Sequence, residues 1–331
     1  MFDPINNREI PVEWITRSSI PKDLLKEGVE RGRFVLLPDG GVLRRGFTTG
    51  TTAAAASKAA VLSIKQDVDA VSVMTPLDIK VELSVESSSG VGSAIKYAGD
   101  HAFDVTDGVK IVATARLTDA DIVIKAGKGI GRFEDGQPAI NPAPMASIRR
   151  AVREALDAIG ERGVEVLIEV EEGEKIAKET LNPEYGVIGG ISILGTTGFV
   201  EPWNEHLEEM VKSIIQKSSK VVLTTGRRGA SFARERFKEY EVIVIGSRFD
   251  IIRDAETKVE DLVLAGLPAL ILKWANPDIL KDTGFRTIRE MVLTDPDNSL
   301  IDDALQTIKM RYPDLQVTIF DFDGNVLRDV R

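Results

Sequence analysis

Leu43-Arg44-Arg45-Gly46-Phe47-Thr48-Thr49-Gly50-Thr51-Thr52 runs directly into Ala53-Ala54-Ala55-Ala56-Ser57-Lys58-Ala59-Ala60, giving a basic strand end, a Gly/Thr loop and an alanine helix in succession. Gly46 and Gly50 permit tight or positive-φ backbone, and Thr51 or Thr52 can cap the helix. Such a cap turns unpaired N–H groups and the positive end of the helix dipole outward, beside the charges of Arg44, Arg45 and Lys58. The stretch therefore reads as an anion site. With alanines filling its first turn, the helix has little bulk near its N-terminus, so a sheet or a broad ligand can approach its backbone. Alanine is also the best helix former, and the same residues suit a helix packed tightly on a sheet.

The segments 33–37 and 42–45, separated by Pro38-Asp39-Gly40-Gly41, predict a β-hairpin that delivers this loop. Residues 1–30 mix Pro4, Pro11 and Pro21 with a short helical pattern and form an N-terminal extension wrapped on the first domain. Downstream, 70–74 and 78–86 predict strands, the second alternating Ile79, Val81, Leu83 and Val85 with polar neighbours so that one face is wet. Strand patterns continue at 93–97, 109–115 and 121–125. Met145, Ile148, Val152, Leu156 and Ile159 then share one helical face that stops at Gly160. A strand at 165–170 and a short charged helix to about Leu181 complete an expected α+β domain over 31–181, a sheet with the alanine-rich helix packed on it.

From Asn182-Pro183 onward, strand patterns at 187–194, 220–225, 241–245, 269–274 and 316–320 alternate with helical patterns at 204–217, 230–240, 254–265, 284–292 and 300–312. This alternation predicts a Rossmann-like α/β domain over 182–331, with a doubly wound, mostly parallel sheet that takes ligands at the carboxyl ends of its strands. Those ends carry Gly195-Thr196-Thr197-Gly198, Thr224-Thr225-Gly226 and Gly246-Ser247.

Composition narrows the function classes. A chain of 331 residues, 43% hydrophobic and 28% charged, suits two domains that each bury a core. No apolar run reaches membrane-spanning length and Met1-Phe2-Asp3-Pro4 lacks the features of a signal peptide, so a cytoplasmic protein is expected, with no membrane partner. There are no cysteines and the imidazoles are His101 and His206, so no protein-held metal is expected. The formal net charge of −10 disfavours a nucleic-acid partner. An anionic ligand would need charge concentrated locally, at Arg44/Arg45/Lys58, at Lys125-Ala126-Gly127-Lys128-Gly129-Ile130-Gly131-Arg132, or at Gly226-Arg227-Arg228-Gly229.

The 125–132 loop brings glycine amides and cations together, which suits an anion. It matches neither a P-loop nor Gly-x-Gly-x-x-Gly, and a solvated turn fits it too. In the loop from Gly99 to Gly108, Asp100, His101, Asp104 and Asp107 suggest a cation site or general acid/base chemistry, although Asp is also an ordinary turn former. Asp104 and Asp107 are the candidate catalytic carboxylates.

The Gly-aromatic-Thr-Thr-Gly-Thr loop entering an alanine tract resembles the opening signature of the CbiD-type family, the cobalt-precorrin-5B C(1)-methyltransferases of anaerobic cobalamin biosynthesis. Gly127–Gly131 with Pro138-Ala139-Ile140-Asn141-Pro142 resembles a linked pair of its motifs. The 99–108 loop resembles a Gly-Asp-rich loop ending in Asp-Val-Thr, with His101-Ala102-Phe103 replacing a shorter Asp-Pro step. Gly189-Gly190-Ile191-Ser192-Ile193-Leu194-Gly195-Thr196-Thr197-Gly198 is a second specific match. Thr52 stands where the family often has cysteine, and Gly266-Leu267-Pro268-Ala269-Leu270-Ile271 lacks the His, second Gly and Lys of a Gly-His-Pro-Gly-Lys-like turn. The resemblance implies transfer of a methyl group from S-adenosylmethionine to ring carbon 1 of cobalt-precorrin-5B, giving cobalt-precorrin-6A, with cobalt travelling in the corrinoid substrate. The Gly/Thr turns at strand ends then place S-adenosylmethionine at Gly195, Thr196, Thr197, Gly198, Thr224, Thr225 and Gly226. Cations beside amide-rich turns suit the corrinoid's carboxylates and place it at Arg44, Arg45, Thr48, Thr49, Gly50, Thr51, Lys125 and Lys128, with Thr106 carried over from the resembling loop. Two other readings stay open: an NAD(P)-dependent oxidoreductase, which the missing dinucleotide fingerprint disfavours, and a noncatalytic tetrapyrrole-binding protein.

Overall fold

A helix that is apolar on all sides belongs in an interior rather than on a surface. The computed structural model describes residues 1–133, 135–180, 182, 186–256 and 259–331. In it the alanine helix runs Thr49–Leu62, and every residue from Thr49 to Val61 except Lys58 is buried. The chain forms two compact units, Met1–Leu207 and Glu208–Arg331.

In the first unit the described strands include a five-stranded sheet in the order Val123–Ala126, Val164–Val170, Lys110–Leu117, Val91–Ile95, Glu86–Ser88. The first pair is parallel and the others antiparallel. Alternation sets the inner face, burying Ile111, Ala113 and Ala115 beside Val164, Val166, Ile168 and Val170. This face meets the alanine helix at close range, because a Cβ placed on Gly92 would stand 2.3 Å from the Ala60 nitrogen and 2.5 Å from the Ala56 carbonyl. Any side chain at Gly92 would push strand and helix apart. The helix Pro142–Ile159 also packs on the alanine helix. It starts with proline in its first turn, ends at left-handed Gly160 and buries Ile148, Ala151, Val152, Ala155 and Leu156.

The expected boundary between 181 and 182 moves. Gly190–Ile191 pairs parallel with Gly129–Ile130, and Phe199–Val200 pairs antiparallel with Gly46–Phe47, so 187–200 belongs to the first unit. Periodicity identifies an extended segment but not the strand it pairs with. Leu181 and residues 183–185 lie outside the described residues.

In the second unit the described strands form a sheet in the order Glu241–Val244, Lys220–Thr224, Asp261–Gly266, Gln316–Phe320, Val326–Val330, with the last antiparallel. Two elements exchange identities relative to the sequence reading. Asp261–Gly266, expected inside a helix over 254–265, is the central strand, and 269–274, expected as a strand, lies in the helix Pro268–Ala275. Residues 257 and 258 of the expected helix lie outside the described residues. The run Leu262-Val263-Leu264-Ala265 is buried throughout, so it carries no two-residue alternation, and Pro268 is the helix-start signal that decides the matter. The chain leaves Lys220–Thr224 in one direction to form Glu241–Val244, then crosses back to form Asp261–Gly266. Such a reversal opens a crevice beyond the carboxyl ends of the two strands that flank it. Among the described residues no helix is long and apolar enough to cross a membrane.

Candidate functional site

The two Gly/Thr loops of the first unit lock onto each other. Thr48 caps the alanine helix, its Oγ1 accepting from the Thr51 amide at 3.3 Å. The Thr48 and Gly50 amides donate to the Gly198 and Leu194 carbonyls at 3.1 and 3.0 Å. Thr49 Oγ1 donates to the Ser192 carbonyl at 3.0 Å and accepts from the Leu194 amide at 2.9 Å, and Thr51 Oγ1 donates to the Gly198 carbonyl at 2.9 Å. Thr197 Oγ1 accepts from the Phe199 amide at 3.1 Å. Gly195 and Gly198 have φ of +130° and +86°, and a Cβ on them would stand 2.4 Å from Thr48 Oγ1 and 2.7 Å from Thr75 Cβ. Buried helix-end amides must find acceptors, and here the chain supplies them. The Thr48, Thr49, Thr51 and Thr197 hydroxyls and the Thr48, Gly50 and Thr51 amides, expected to face a ligand, are bonded within the chain, and the close approach expected at Gly195 and Gly198 is made by Thr48 and Thr75. Thr196 remains exposed.

Arg45 is corrected as well. It is fully buried, with Nη2 2.6 Å from Asp3 and Nε 3.0 Å from Glu201, and Nη1 donates to the Phe34 carbonyl at 3.0 Å. Burial would lower its pKa, but Glu201 and Asp3 outweigh burial and raise it. Its work is to clamp the N-terminal extension and the 199–201 segment to the hairpin. Arg44 is exposed and forks onto Asp100, with Nη2 and Nε 2.8 and 3.1 Å from Oδ1. Burial pushes the Asp100 carboxyl up, and hydrogen bonds from Arg44 more than offset this, holding it below its ordinary value.

Sequence patterns alone do not single out Arg33. Its guanidinium lies over the Phe47 ring, 4.9 Å from the centroid, and it makes no ion pair among the described residues. Its Nε is buried without a hydrogen-bond partner. It borders a cavity of about 480 Å³ that Phe47, Glu82, Leu83, Ser93 and Tyr97 also line. Burial lowers its pKa. Nothing in the sequence distinguishes it from Arg31 or Arg44, because lacking a partner is a property of the folded chain.

The 99–108 loop brings Asp104, Thr106 and Asp107 together as groups that hold one another. Asp104 Oδ2 lies 2.6 Å from Nζ of buried Lys96, and Oδ1 accepts from the Thr106 amide and hydroxyl at 2.9 and 2.5 Å. Burial raises the Asp104 pKa, but the bonds from Lys96 and Thr106 prevail and lower it. Asp107 accepts from the Ala98 amide at 2.7 Å. Burial lowers the pKa of His101, whose Nδ1 accepts from the Phe103 amide at 3.0 Å. A carboxylate stabilised as an anion is a weak proton acceptor, so the turn-holding reading of this loop is the one its geometry favours.

In the 125–132 loop the glycines serve close backbone approach. A Cβ on Gly129 would stand 2.0 Å from the Val170 carbonyl, and one on Gly127 would stand 2.5 Å from Glu169 Cγ. Arg132 donates to the Gly136 and Ala126 carbonyls, and Lys125 pairs with Glu165 at 2.7 Å. Lys128 is exposed, and among the described residues its ammonium has no ion-pair partner.

In the second unit, Thr224-Thr225-Gly226 ends the strand Lys220–Thr224 at the reversal point. Thr224 Oγ1 is buried without a partner, and a Cβ on Gly226 or Gly246 would meet nothing within 4 Å. Gly229 and Gly266 approach backbone to backbone, a Cβ on Gly229 lying 2.9 Å from Gly266 Cα. The helix Arg227–Arg236 starts at Gly226 with no side-chain cap, its N-terminus at the end of that strand. Thr224–Gly226 and Gly195–Gly198, expected to share one ligand, belong to different units.

Known proteins resemble this chain along its whole length. A family model described as CbiD matches residues 38–202. A protein of Methanosarcina acetivorans named cobalt-precorrin-5B C(1)-methyltransferase is 46% identical over 99% of this chain and 98% of its own length. One of the same name from Methanococcoides burtonii is 45% identical with equal coverage. The crystal structure of the cobalamin biosynthesis protein CbiD from Archaeoglobus fulgidus superimposes with a TM-score of 0.73 at 37% identity, covering 83% of this chain and 93% of that one.

Proposed function

The chain belongs to the CbiD family, and on that premise we propose that it moves a methyl group from S-adenosylmethionine to ring carbon 1 of cobalt-precorrin-5B, giving cobalt-precorrin-6A. The observation that carries this reading is that the likeness runs nearly end to end in both proteins, so it includes both compact units. S-adenosylmethionine supplies a methyl group made electrophilic by its sulfonium. The crevice at Thr224, Thr225 and Gly226 fits it: an unpartnered buried hydroxyl, glycine backbone facing open space and uncapped helix amides suit a nucleoside with a carboxylate tail. We assign those residues to hold it, and give Gly195, Thr197 and Gly198 a structural role instead, because Thr48, Phe199 and Thr75 of the chain itself occupy the space or the bonds beside them.

The partner is then a corrinoid whose cobalt is cargo, and the enzyme works in the cytoplasm. The conjugated ring supplies the electrons, so the chain's task is alignment and exclusion of water rather than nucleophilic attack by a side chain. Asp104 and Asp107 hold the 99–108 loop in this reading.

Incubation of the purified protein with cobalt-precorrin-5B and methyl-labelled S-adenosylmethionine tests the proposal, and stoichiometric transfer of label is expected. Corrinoid binding without transfer would leave a tetrapyrrole carrier. Binding of NAD(P) in place of S-adenosylmethionine would restore the oxidoreductase reading.

A further inference from the structure

Of the hairpin's arginines, Arg45 lies between Asp3 and Glu201 and Arg44 forks onto Asp100, whereas Arg33 has no carboxylate among the described residues. A half-buried guanidinium with an unpartnered buried Nε is unfavourable unless something else completes it. Its main chain is fixed, its amide donating to the Gly28 carbonyl and its carbonyl accepting from the Arg45 amide, both at 2.8 Å. Phe47 covers one face of the guanidinium, which leaves the edge, where its N–H donors lie, for a ligand. The adjoining cavity of about 480 Å³ is walled by buried Leu83, Val85 and Ala94 and by Tyr97. Its acidic members do not neutralise Arg33, since Glu86 lies 3.0 Å from Lys110 and Glu82 is exposed.

We propose that Arg33 anchors a carboxylate of the corrinoid's acetate or propionate arms, with the arm's aliphatic stem in the cavity. A planar fork binds a carboxylate through two parallel hydrogen bonds, and a pocket of this size and mixed lining takes such an arm. The inference rests on the corrinoid being the substrate. Phe47, the aromatic residue of the opening motif, thereby acquires a role: it precedes the cap of the buried alanine helix and holds the arginine's face to the core. The other source of a carboxylate on an aliphatic stem is the methionyl end of S-adenosylmethionine.

Arg33→Met and Arg33→Lys separate these sources. Arg33→Met removes an unpaired charge, so its melting midpoint should stay at or above that of the wild type. Its KM for cobalt-precorrin-5B should rise about 10- to 100-fold, the range for losing a charge-assisted hydrogen bond, with the KM for S-adenosylmethionine within about twofold of normal. In equilibrium titrations the wild type should prefer cobyrinic acid over its heptamethyl ester, and Arg33→Met should lose about tenfold of that preference. Arg33→Lys keeps the charge without the fork and should fall between the two, and it carries the test if Arg33→Met fails to fold. An unchanged corrinoid KM and unchanged acid-to-ester preference would overturn the proposal. A rise confined to S-adenosylmethionine would overturn it too, giving Arg33 to the methionyl carboxylate. A wild type that binds cobyrinic acid through Arg33 but transfers no methyl would defeat the activity reading and leave this site standing.

Discussion

Replacing Arg45 with methionine distinguishes a ligand arginine from a structural one. Asp3 and Glu201 have side chains 5% and 18% exposed, and the change leaves their carboxylates facing a site from which the cation has gone. Methionine roughly preserves volume, so the effect is electrostatic rather than a cavity. Removing one partner of a buried ion pair costs about 3–5 kcal/mol. For a unit the size of Met1–Leu207, each kcal/mol shifts the melting midpoint by roughly 2–4 °C, so a fall of about 6–20 °C is expected by scanning calorimetry. Adding Asp3→Asn removes one stranded charge, and the double variant should be more stable than the sum of the single changes by about 1–3 kcal/mol. An Arg45→Met protein that melts within about 2 °C of the wild type, with a raised corrinoid KM, would refute this reasoning and return Arg45 to the ligand.

Gly226→Val should abolish S-adenosylmethionine binding in a calorimetric titration with little change in melting, since its φ of −175° is ordinary extended backbone and its Cβ would meet nothing within 4 Å; normal affinity would remove the cofactor from this crevice. Gly198→Val should instead destabilise the first unit by about 1–3 kcal/mol or more, because its φ is +86° and its Cβ would strike Thr75; a selective loss of cofactor binding with normal melting would contradict the locked-loop geometry. Thr49→Val strips a donor from the Ser192 carbonyl and an acceptor from the Leu194 amide, and should cost about 1–3 kcal/mol in denaturant unfolding. Because the Asp104 carboxyl is held below its ordinary value of 3.8, its ionised form adds stability above that pH and loses it as pH falls through the folded value. Asp104→Asn should therefore be less stable at neutral pH and show a shallower acid-side loss, while a fall in kcat of about 10²–10⁴-fold would restore a general-base role.

The helix packed on the sheet was legible from the sequence because the alanines of 53–60 are strong helix formers with little bulk, and the hairpin before it because Pro38-Asp39-Gly40-Gly41 is turn chemistry. The strands of the first unit declared themselves through alternation, as in Lys80–Ser84 with its buried Val81 and Leu83. What failed was what depends on partners distant in sequence. Gly190–Ile191 looks locally like any strand of a parallel sheet, but its partner is Gly129–Ile130, and that pairing moves the boundary. Asp261–Gly266 and Pro268–Ala275 are both short apolar runs, and the fully buried strand has no alternation to betray it. The candidate site shows the same division. Both Gly/Thr motifs were visible, but the Thr49 and Thr51 hydroxyls and the Thr48 and Gly50 amides of the first are bonded to the second, and Arg33 draws its interest from a missing partner that no local pattern can display.

Single-turnover reaction with ¹³C-methyl S-adenosylmethionine, followed by carbon NMR of the extracted corrinoid, tests the central claim most directly. One labelled methyl per corrinoid, attached to ring carbon 1, is the expected result. Label at any other ring position, or unmethylated corrinoid recovered from a complex that holds both substrates, would contradict it.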